Sequence, residues 1–590
     1  MPINATTDDE QLSTTKKSVT IIRLLRYLLT YKKRIIIVMF IMAYIVTAAL
    51  INPLIMEAAI DNYIRPGNFQ GLVHLVIFAV SVNVVLVICI RVRLYLMADM
   101  CNDVLVTIRQ ELYTHIQTLD FHFFDKRPTG KVLARIIGDI NSLREVLANF
   151  VTTLIPDFLT VVAVVVIMFV KNPPLAAAAL SSFPLLVIGM FLIQHFSHKL
   201  WQIFRRKSSN LNAFVHENLS GIRVVQGFAA EDEATADFAQ LTEEHRVSFN
   251  RAVRVNNLFW SVVDICWFVS LAVMYYVGIM IIGTDKITLG TFIAFGAYVS
   301  MFWQPLLNLS NFYNQLLTNI AGAERVFEIL DTPAEITDAS QVSELPPIVG
   351  KVTFSDVSFS YDEGTVVLDN VSFTVEAGET IALVGPTGAG KTTIVNLISR
   401  FYDVQQGTVA IDDIDVKTVS IESLRQQMGI MTQDTFLFSG TIRDNIRYGK
   451  LDATDEEIIE AAKAVRAHDF IMEMEKGYDY ELSGRGGGLS IGQKQLLAFA
   501  RTMVSKPRIL ILDEATSSID THTELLIQKG IASLLHGRTS FVIAHRLSTI
   551  RSADRIFVID EGHIVEEGNH DELMAMGGLY HGLQKAQMVE

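Results

Sequence analysis

A helical membrane domain of six spans with long cytoplasmic extensions, followed by an α/β domain of the P-loop NTPase type, is the fold this 590-residue sequence predicts. Three observations predict it. Nearly all the long apolar runs fall before about Asn314, and six of them approach the roughly 20 residues that cross a hydrocarbon core. The remainder reads as an ordinary soluble α/β sequence. Within that remainder a glycine-rich loop stands between an apolar strand and an apolar helix. The mean hydropathy of +0.34 is too high for an ordinary soluble enzyme of this length. A formal charge of −14 excludes broad nucleic-acid binding, because tracking a phosphate backbone needs a basic excess. Cys89, Cys101 and Cys266 lie in or near apolar helices without CxxC or His-rich spacing and read as small buried hydrophobes.

Taken in chain order, the polar N-terminus carries Asp8, Asp9 and Glu10 ahead of Lys16 and Lys17, and no cleavable signal is evident. Between Ser18 and Lys33, Ile21, Leu24, Leu25, Leu28 and Leu29 recur at helical spacing among Arg23, Arg26, Lys32 and Lys33. That pattern suits a helix lying on a membrane surface. The spans follow at about Ile35–Leu54, Leu72–Ile90, Val151–Val170, Leu175–Ile193, Leu258–Ile282 and Leu289–Leu316. Their connections orient them: the first, third and fifth are short and poor in Lys and Arg. The long second and fourth carry Arg91, Arg93, Arg109, Lys126, Arg127, Lys131, Arg205, Arg206, Lys207, Arg223 and Arg251. The N-terminus and the C-terminal domain are therefore expected in the cytoplasm. The two long connections are periodic enough to be helical extensions, each turning back midway, near Asp125–Gly130 and Asn218–Gly221. Asp264 reads as the carboxylate set well into an apolar run, either pairing with a neighbouring helix or facing a cationic substrate or proton. Trp260, Trp267, Tyr275, Tyr276, Trp303, Phe312 and Tyr313 are candidates for an apolar cavity, with interfacial or packing roles equally open.

From Gly350 onward short β-rich runs appear, Val352–Phe359 and Val371–Val375, then the strand Thr380–Val384. Gly385, Pro386, Thr387, Gly388, Ala389, Gly390, Lys391 and Thr392 complete a P-loop, with Thr393 beside it and the helix Ile394–Ile398 after it. Glycines let backbone N–H groups reach phosphates, Lys391 neutralises the β and γ oxygens, and the Thr392 hydroxyl suits Mg²⁺. Downstream, the buried-strand run Ile509–Leu512 ends in Asp513 and Glu514. Asp513 suits hydrated Mg²⁺ and Glu514 suits the water that attacks the γ-phosphate. An acidic strand end and a P-loop also describe kinases and other NTPases.

Leu489-Ser490-Ile491-Gly492-Gln493 resembles the LSGGQ signature of ATP-binding cassette (ABC) proteins. The resemblance extends over the whole domain. Tyr361 matches the aromatic that stacks on adenine, and Gln433 the glutamine joining Mg²⁺ to the membrane domain. Asp520 matches the interface aspartate, and His545 the switch histidine. The six spans fused ahead of one cassette resemble the type IV exporter fold, and FFDKRPTGKVLARIIGDI and NLSGIRVVQGF resemble its two coupling regions. The resemblance implies an ATPase that exports an amphipathic small molecule, with ATP and Mg²⁺ as cofactors. It also implies a second half-transporter subunit, because two cassettes sandwich each ATP between the P-loop of one and the signature of the other. The implied division is residues 1–34 as N-terminus and interfacial helix, 35–325 as membrane domain, 326–349 as linker and 350–590 as cassette.

Two departures qualify the match. Ile491 stands where the signature has its first glycine, and Gly484 where the exporter TEVGERG loop has its second glutamate. With Lys391, Asp513, Glu514 and His545 intact, the combination favours the catalytically complete half of a heterodimer over a homodimer. The expected setting is a lipid bilayer, as a multi-pass protein of the cytoplasmic membrane. A membrane-anchored sensor whose cassette signals is a competing function. Peptide export with leader processing is disfavoured by the short stretch before the first span, and an importer by the fusion of spans to cassette.

Overall fold

The computed structural model describes residues 17–283, 287–338, 342–362, 364–432, 435–484, 486–513, 521–544 and 547–589. They divide into two compact units, residues 1–116 with 130–331, and residues 117–129 with 332–590.

The first unit is helical. Among the described residues six helices are long and apolar enough to cross a membrane. After the amphipathic α1 (Lys17–Leu29) come α2 (Lys32–Ile64) and α3 (Phe69–Thr118). The short α4 (Phe121–Lys126) belongs to the second unit. Then follow α5 (Thr129–Lys171), α6 (Pro173–Ser220), the short α7 (Ile222–Gly227), α8 (Glu231–Ile282) and α9 (Leu289–Asp331). In α1, Leu24 and Leu28 are buried, while Arg23 pairs with Asp331 at 2.7 Å and lies 4.3 Å from the Phe327 ring. The apolar stripe thus packs inward and Arg23 closes onto the end of α9. The fully buried Tyr298 of α9 donates its hydroxyl to the Leu50 carbonyl of α2 at 3.0 Å. At the far ends of the spans, Lys171 pairs with Glu57, and Asp61 accepts from the Gly290 N–H at 3.1 Å and from the Thr288 hydroxyl. The Tyr298 bond, buried between helices, is of the kind that matters in a bilayer, where no water competes for the polar groups.

The long helices confirm the reading of the two extended connections as helical continuations of the spans. The turning points differ in detail. The first reversal carries α4, capped by Asp120, whose side chain accepts from the Phe123 N–H at 3.1 Å. The second lies slightly beyond Asn218–Gly221: α6 runs to Ser220, and Gly221, α7 and the residues before Glu231 make the turn. A helical Asn218 bonding back to the Phe214 carbonyl explains the shift, leaving Gly221 as the first break.

The second unit is α/β. An antiparallel sheet joins β1 (Val352–Ser360), β2 (Val366–Val375) and β4 (Gln406–Ile411). A six-stranded sheet runs β9-β8-β3-β7-β6-β5, with β3 (Thr380–Val384), β5 (Met428–Met431), β6 (Ile509–Asp513), β7 (Thr539–Ile543), β8 (Arg555–Asp560) and β9 (His563–Gly568). Only the β8–β9 pair is antiparallel. The central strands are covered on both faces, and accordingly TIALV in β3 and TSFVI in β7 are buried throughout. Helices α10 (Lys391–Ile398), α11 (Ile442–Arg447), α12 (Ile491–Val504) and α13 (Thr521–Leu535) complete the parts that bear on the site.

Candidate nucleotide site

The parallel sheet sets the site. In its register Leu383, Ile543 and Asp513 share one row, so the P-loop leaving β3 and the carboxylate ending β6 sit along the same C-terminal edge. Ligands of open α/β sheets bind at this edge. The loop itself is shaped by glycine. A Cβ on Gly385, at φ +154°, would lie 2.1 Å from the Ile559 carbonyl oxygen, and one on Gly390, at φ +109°, would lie 2.7 Å from Leu368 Cδ2. The crest residues Pro386, Thr387 and Gly388 are exposed, whereas Ala389 and Gly390 are buried. The exposed crest thus opens the loop to solvent next to the start of α10, where the helix dipole favours an anion.

Lys391 folds back on the loop, its Nζ donating to the carbonyls of Gly385 at 2.8 Å and Pro386 at 2.7 Å. Burial lowers its pKa, and the nearby Asp513 opposes that effect. The ammonium is therefore poised in a partly dry site beside the carboxylate. Thr392 is exposed, while Thr393 is buried with its hydroxyl 3.1 Å from that of Tyr361. Half-buried Tyr361 also accepts from Asn396 Nδ2 at 3.4 Å and stands edge-on to Phe359 and Tyr402, each at 5.0 Å. The structure thus brings Tyr361, the P-loop, Lys391, Thr392, Thr393 and Asp513 together. Gln433, Glu514, Asp520 and His545 lie outside the described residues.

The signature segment stands at the start of α12. Ser490 caps the helix, accepting from the Gln493 N–H at 3.2 Å, while Gln493 Oε1 accepts from the Ser490 N–H at 2.9 Å. Ile491, the first helical residue, is 51% exposed. Gly492 is the opposite case: a Cβ there would lie 2.1 Å from Thr523 Cγ2 of α13. The two positions of the glycine pair therefore carry different constraints, one facing outward and one against a neighbouring helix.

Sequence reasoning missed three features. Asp157 lies within the apolar run Val151–Val170, so Asp264 is not the single intramembrane acid; Asp264 itself is exposed on α8. Averaging the hydropathy of that run hid the one acid. Of the aromatic candidates, Trp303 and Phe312 are buried in packing, and Trp260, Tyr275 and Tyr276 are exposed. The second feature is Phe401–Tyr402, directly after the P-loop helix. Phe401 packs against Phe121 at 4.4 Å, and the Tyr402 hydroxyl donates to Asp125. Burial, reinforced by the Asp125 carboxylate, raises the Tyr402 pKa, so the phenol stays protonated and keeps donating. The third is Lys126, which pairs with Asp362 beside Tyr361 at 2.8 Å. Helix α4 thus rests on residues that adjoin both Tyr361 and the helix that follows the P-loop.

Known proteins share this succession of a helical unit and an α/β unit. Residues 35–306 match the family described as ABC transporter transmembrane region, and residues 368–517 the family described as ABC transporter. The uncharacterized ABC transporter ATP-binding protein YknV of Bacillus subtilis (strain 168) is 43% identical over 567 residues, covering 96% of this chain and 94% of the relative. The ATP-dependent lipid A-core flippase of Syntrophus aciditrophicus (strain SB) is 38% identical over 540 residues, covering 91% of this chain and 89% of the relative. A solved structure of a bacterial Atm1-family ABC exporter with ATP bound matches with a TM-score of 0.77 at 29% identity, covering 95% of this chain and 99% of that one. With a transmembrane domain and an ATP-binding cassette fused in one chain, this protein belongs to the ABC transporter family, as an exporter half-transporter whose ATPase is coupled to transport.

Proposed function

We propose that this chain exports an amphipathic, lipid-like or drug-like molecule across the cytoplasmic membrane by alternating access, as the catalytically complete half of a heterodimer. The observation that carries the reading is α4, a segment between two spans that is packed within the cassette's own unit against Phe401, Tyr402 and Asp362. Movement of the nucleotide loops pulls on α4, and through it on α3 and α5, to which it is joined in sequence.

ATP occupies the P-loop. Incoming phosphates replace the Gly385 and Pro386 carbonyls as partners of Lys391, whose charge is then spent on the β and γ oxygens. Thr392 and Asp513, with Gln433, would hold Mg²⁺. The exposed hydroxyl at the start of α10 and the carboxylate near Lys391 fit a hard cation that arrives with phosphates and needs few protein ligands. When bound, that ion supplies charge neutralisation and geometry. Glu514 polarises the attacking water, His545 senses the γ-phosphate, and Asp520 joins the two cassettes. Ser490, Gly492 and Gln493 complete the partner's site, where Ile491 projects a branched side chain in place of a bare backbone. Hydrolysis at that second site is weak as a result, and binding closes the pair while hydrolysis reopens it.

Inverted membrane vesicles containing both halves test the proposal. ATP-dependent accumulation of an amphipathic probe is expected, and Glu514→Gln should abolish it. Normal ATP hydrolysis with no accumulation would refute export. Two equal hydrolytic sites in a dimer of this chain alone would refute the heterodimer.

A further inference from the structure

Two helices of the membrane unit, α5 and α9, face each other through a ladder of polar pairs. Arg325 donates from Nε and Nη2 to Asp139 at 2.9 and 2.5 Å. Asn319 donates to Glu145 at 3.1 Å, and Asn149 donates to Gln315 at 2.8 Å. Asn308 hydrogen-bonds Asp157. Numbers rise along α5 as they fall along α9, nearly in step, so this is one antiparallel register and not four unrelated contacts.

On α9 the polar positions Gln304, Asn308, Asn311 and Gln315 recur at steps of four, three and four, which places them on one helical face. They lie inside the apolar span read from sequence. Gln304, Asn311 and Gln315 are exposed in the protomer. A face of carboxamides turned to hydrocarbon would be costly, so it belongs against a polar, water-holding space. Each carboxamide has two N–H donors and an oxygen with two lone pairs, more than a single rung uses. In addition, one Asp157 carboxylate oxygen and Arg93 Nε are buried with no hydrogen-bond partner among the described residues.

Inside the span read from sequence the ladder's fixed charges are matched, and Glu145, outside it, faces Asn319. Asp139 pairs with Arg325, and Asp157 feels the Arg93 guanidinium of α3. The stretch inside the span therefore offers no net attraction to a bare cation or a polyanion. It offers alternating donors and acceptors, which is what vicinal hydroxyls satisfy. Resting on the export reading above, we infer that the substrate is a lipid with an uncharged, hydroxyl-rich head group, of the glycolipid class. Its head is passed along the carboxamide face of α9.

Three fluorescent probes separate the alternatives in inverted vesicles holding both halves: a monoglucosyl diacylglycerol, a phosphatidylglycerol and ethidium. The wild type should move the glucolipid in preference to the other two. Asn308→Leu combined with Gln315→Leu should lower glucolipid moved per ATP hydrolysed about tenfold, the loss of one or two hydrogen bonds. Asn308→Gln with Gln315→Asn keeps the carboxamides and should restore most of the transfer, and nucleotide binding by the leucine variant checks that it has folded. If ethidium or phosphatidylglycerol moves as well as the glucolipid, the head-group inference fails while export stands. It fails equally if the leucine variant moves glucolipid at the wild-type ratio. Should the wild type hydrolyse ATP and move none of the three, the export reading falls, and this inference with it.

Discussion

Gly492→Ala is the change whose consequence the structure fixes most closely. The added methyl would sit 2.1 Å from Thr523 Cγ2 and 3.4 Å from Ile527 Cδ1, so α12 and α13 must shift apart or distort. Overpacking of this kind costs about 1–3 kcal/mol. Against it stands the gain of replacing glycine in a helix, about 0.5–1 kcal/mol. The net expectation is destabilisation of up to about 2.5 kcal/mol. Thr523→Ser removes the obstructing methyl and keeps the hydroxyl. In that background the clash term disappears and only the helix gain remains, so Gly492→Ala should become neutral or stabilising. The assay is a double-mutant cycle on thermal unfolding of the detergent-solubilised protein, read as the coupling between the two sites, which a multi-domain unfolding curve still supports better than an absolute stability. If Gly492→Ala destabilises the wild type and the Thr523→Ser background equally, the contact is not the reason position 492 needs glycine.

Four further outcomes follow from the site. Lys391→Ala should lower ATPase activity about a hundredfold, measured as phosphate release at saturating ATP. Glu514→Gln should retain nucleotide and trap the closed dimer, seen as ATP that survives gel filtration; normal hydrolysis by this variant would remove Glu514 from the role of general base. Tyr402→Phe loses the bond to Asp125, worth about 1 kcal/mol, and should reduce transport per ATP about fivefold with little effect on nucleotide affinity. Ile491→Gly should raise total ATPase activity only when the partner's own acidic strand is intact, so the response also reports on the partner.

The parts of this molecule that were legible from sequence are those whose chemistry is local. A P-loop is a run of eight residues, and the strand before it and the helix after it are short-range patterns. Six spans of sufficient apolar length leave few alternatives in a bilayer. What escaped was set by tertiary pairing. Nothing adjacent to Phe401 and Tyr402 announces that they meet Phe121 and Asp125, because the partners are separated by a long stretch of chain. Asp157 was lost in a run of valines, and the α5–α9 ladder became visible only once antiparallel register placed Asn149 against Gln315. A hydropathy window weighs the average of a span, whereas the ladder is a property of one face.

The glycine pair of the signature shows why a motif match alone could not say what a departure from it means. If both glycines served the packing of α12, then Ile491 would be a structural fault, and the cassette would need compensation elsewhere. The structure separates them. Position 492 has no room for a side chain, and glycine stands there. Position 491 is half exposed at the first turn of a helix whose cap is fully formed by Ser490 and Gln493, and isoleucine costs little in such a place. The effect of Ile491 is therefore not on this fold. It falls on whatever approaches the N-terminus of α12 from outside the chain. In the proposed dimer, where each signature completes the partner's nucleotide site, that is the partner's ATP. Under the proposed heterodimer, glycine at 492 with isoleucine at 491 keeps the fold of the signature helix and alters its contact with the partner's site.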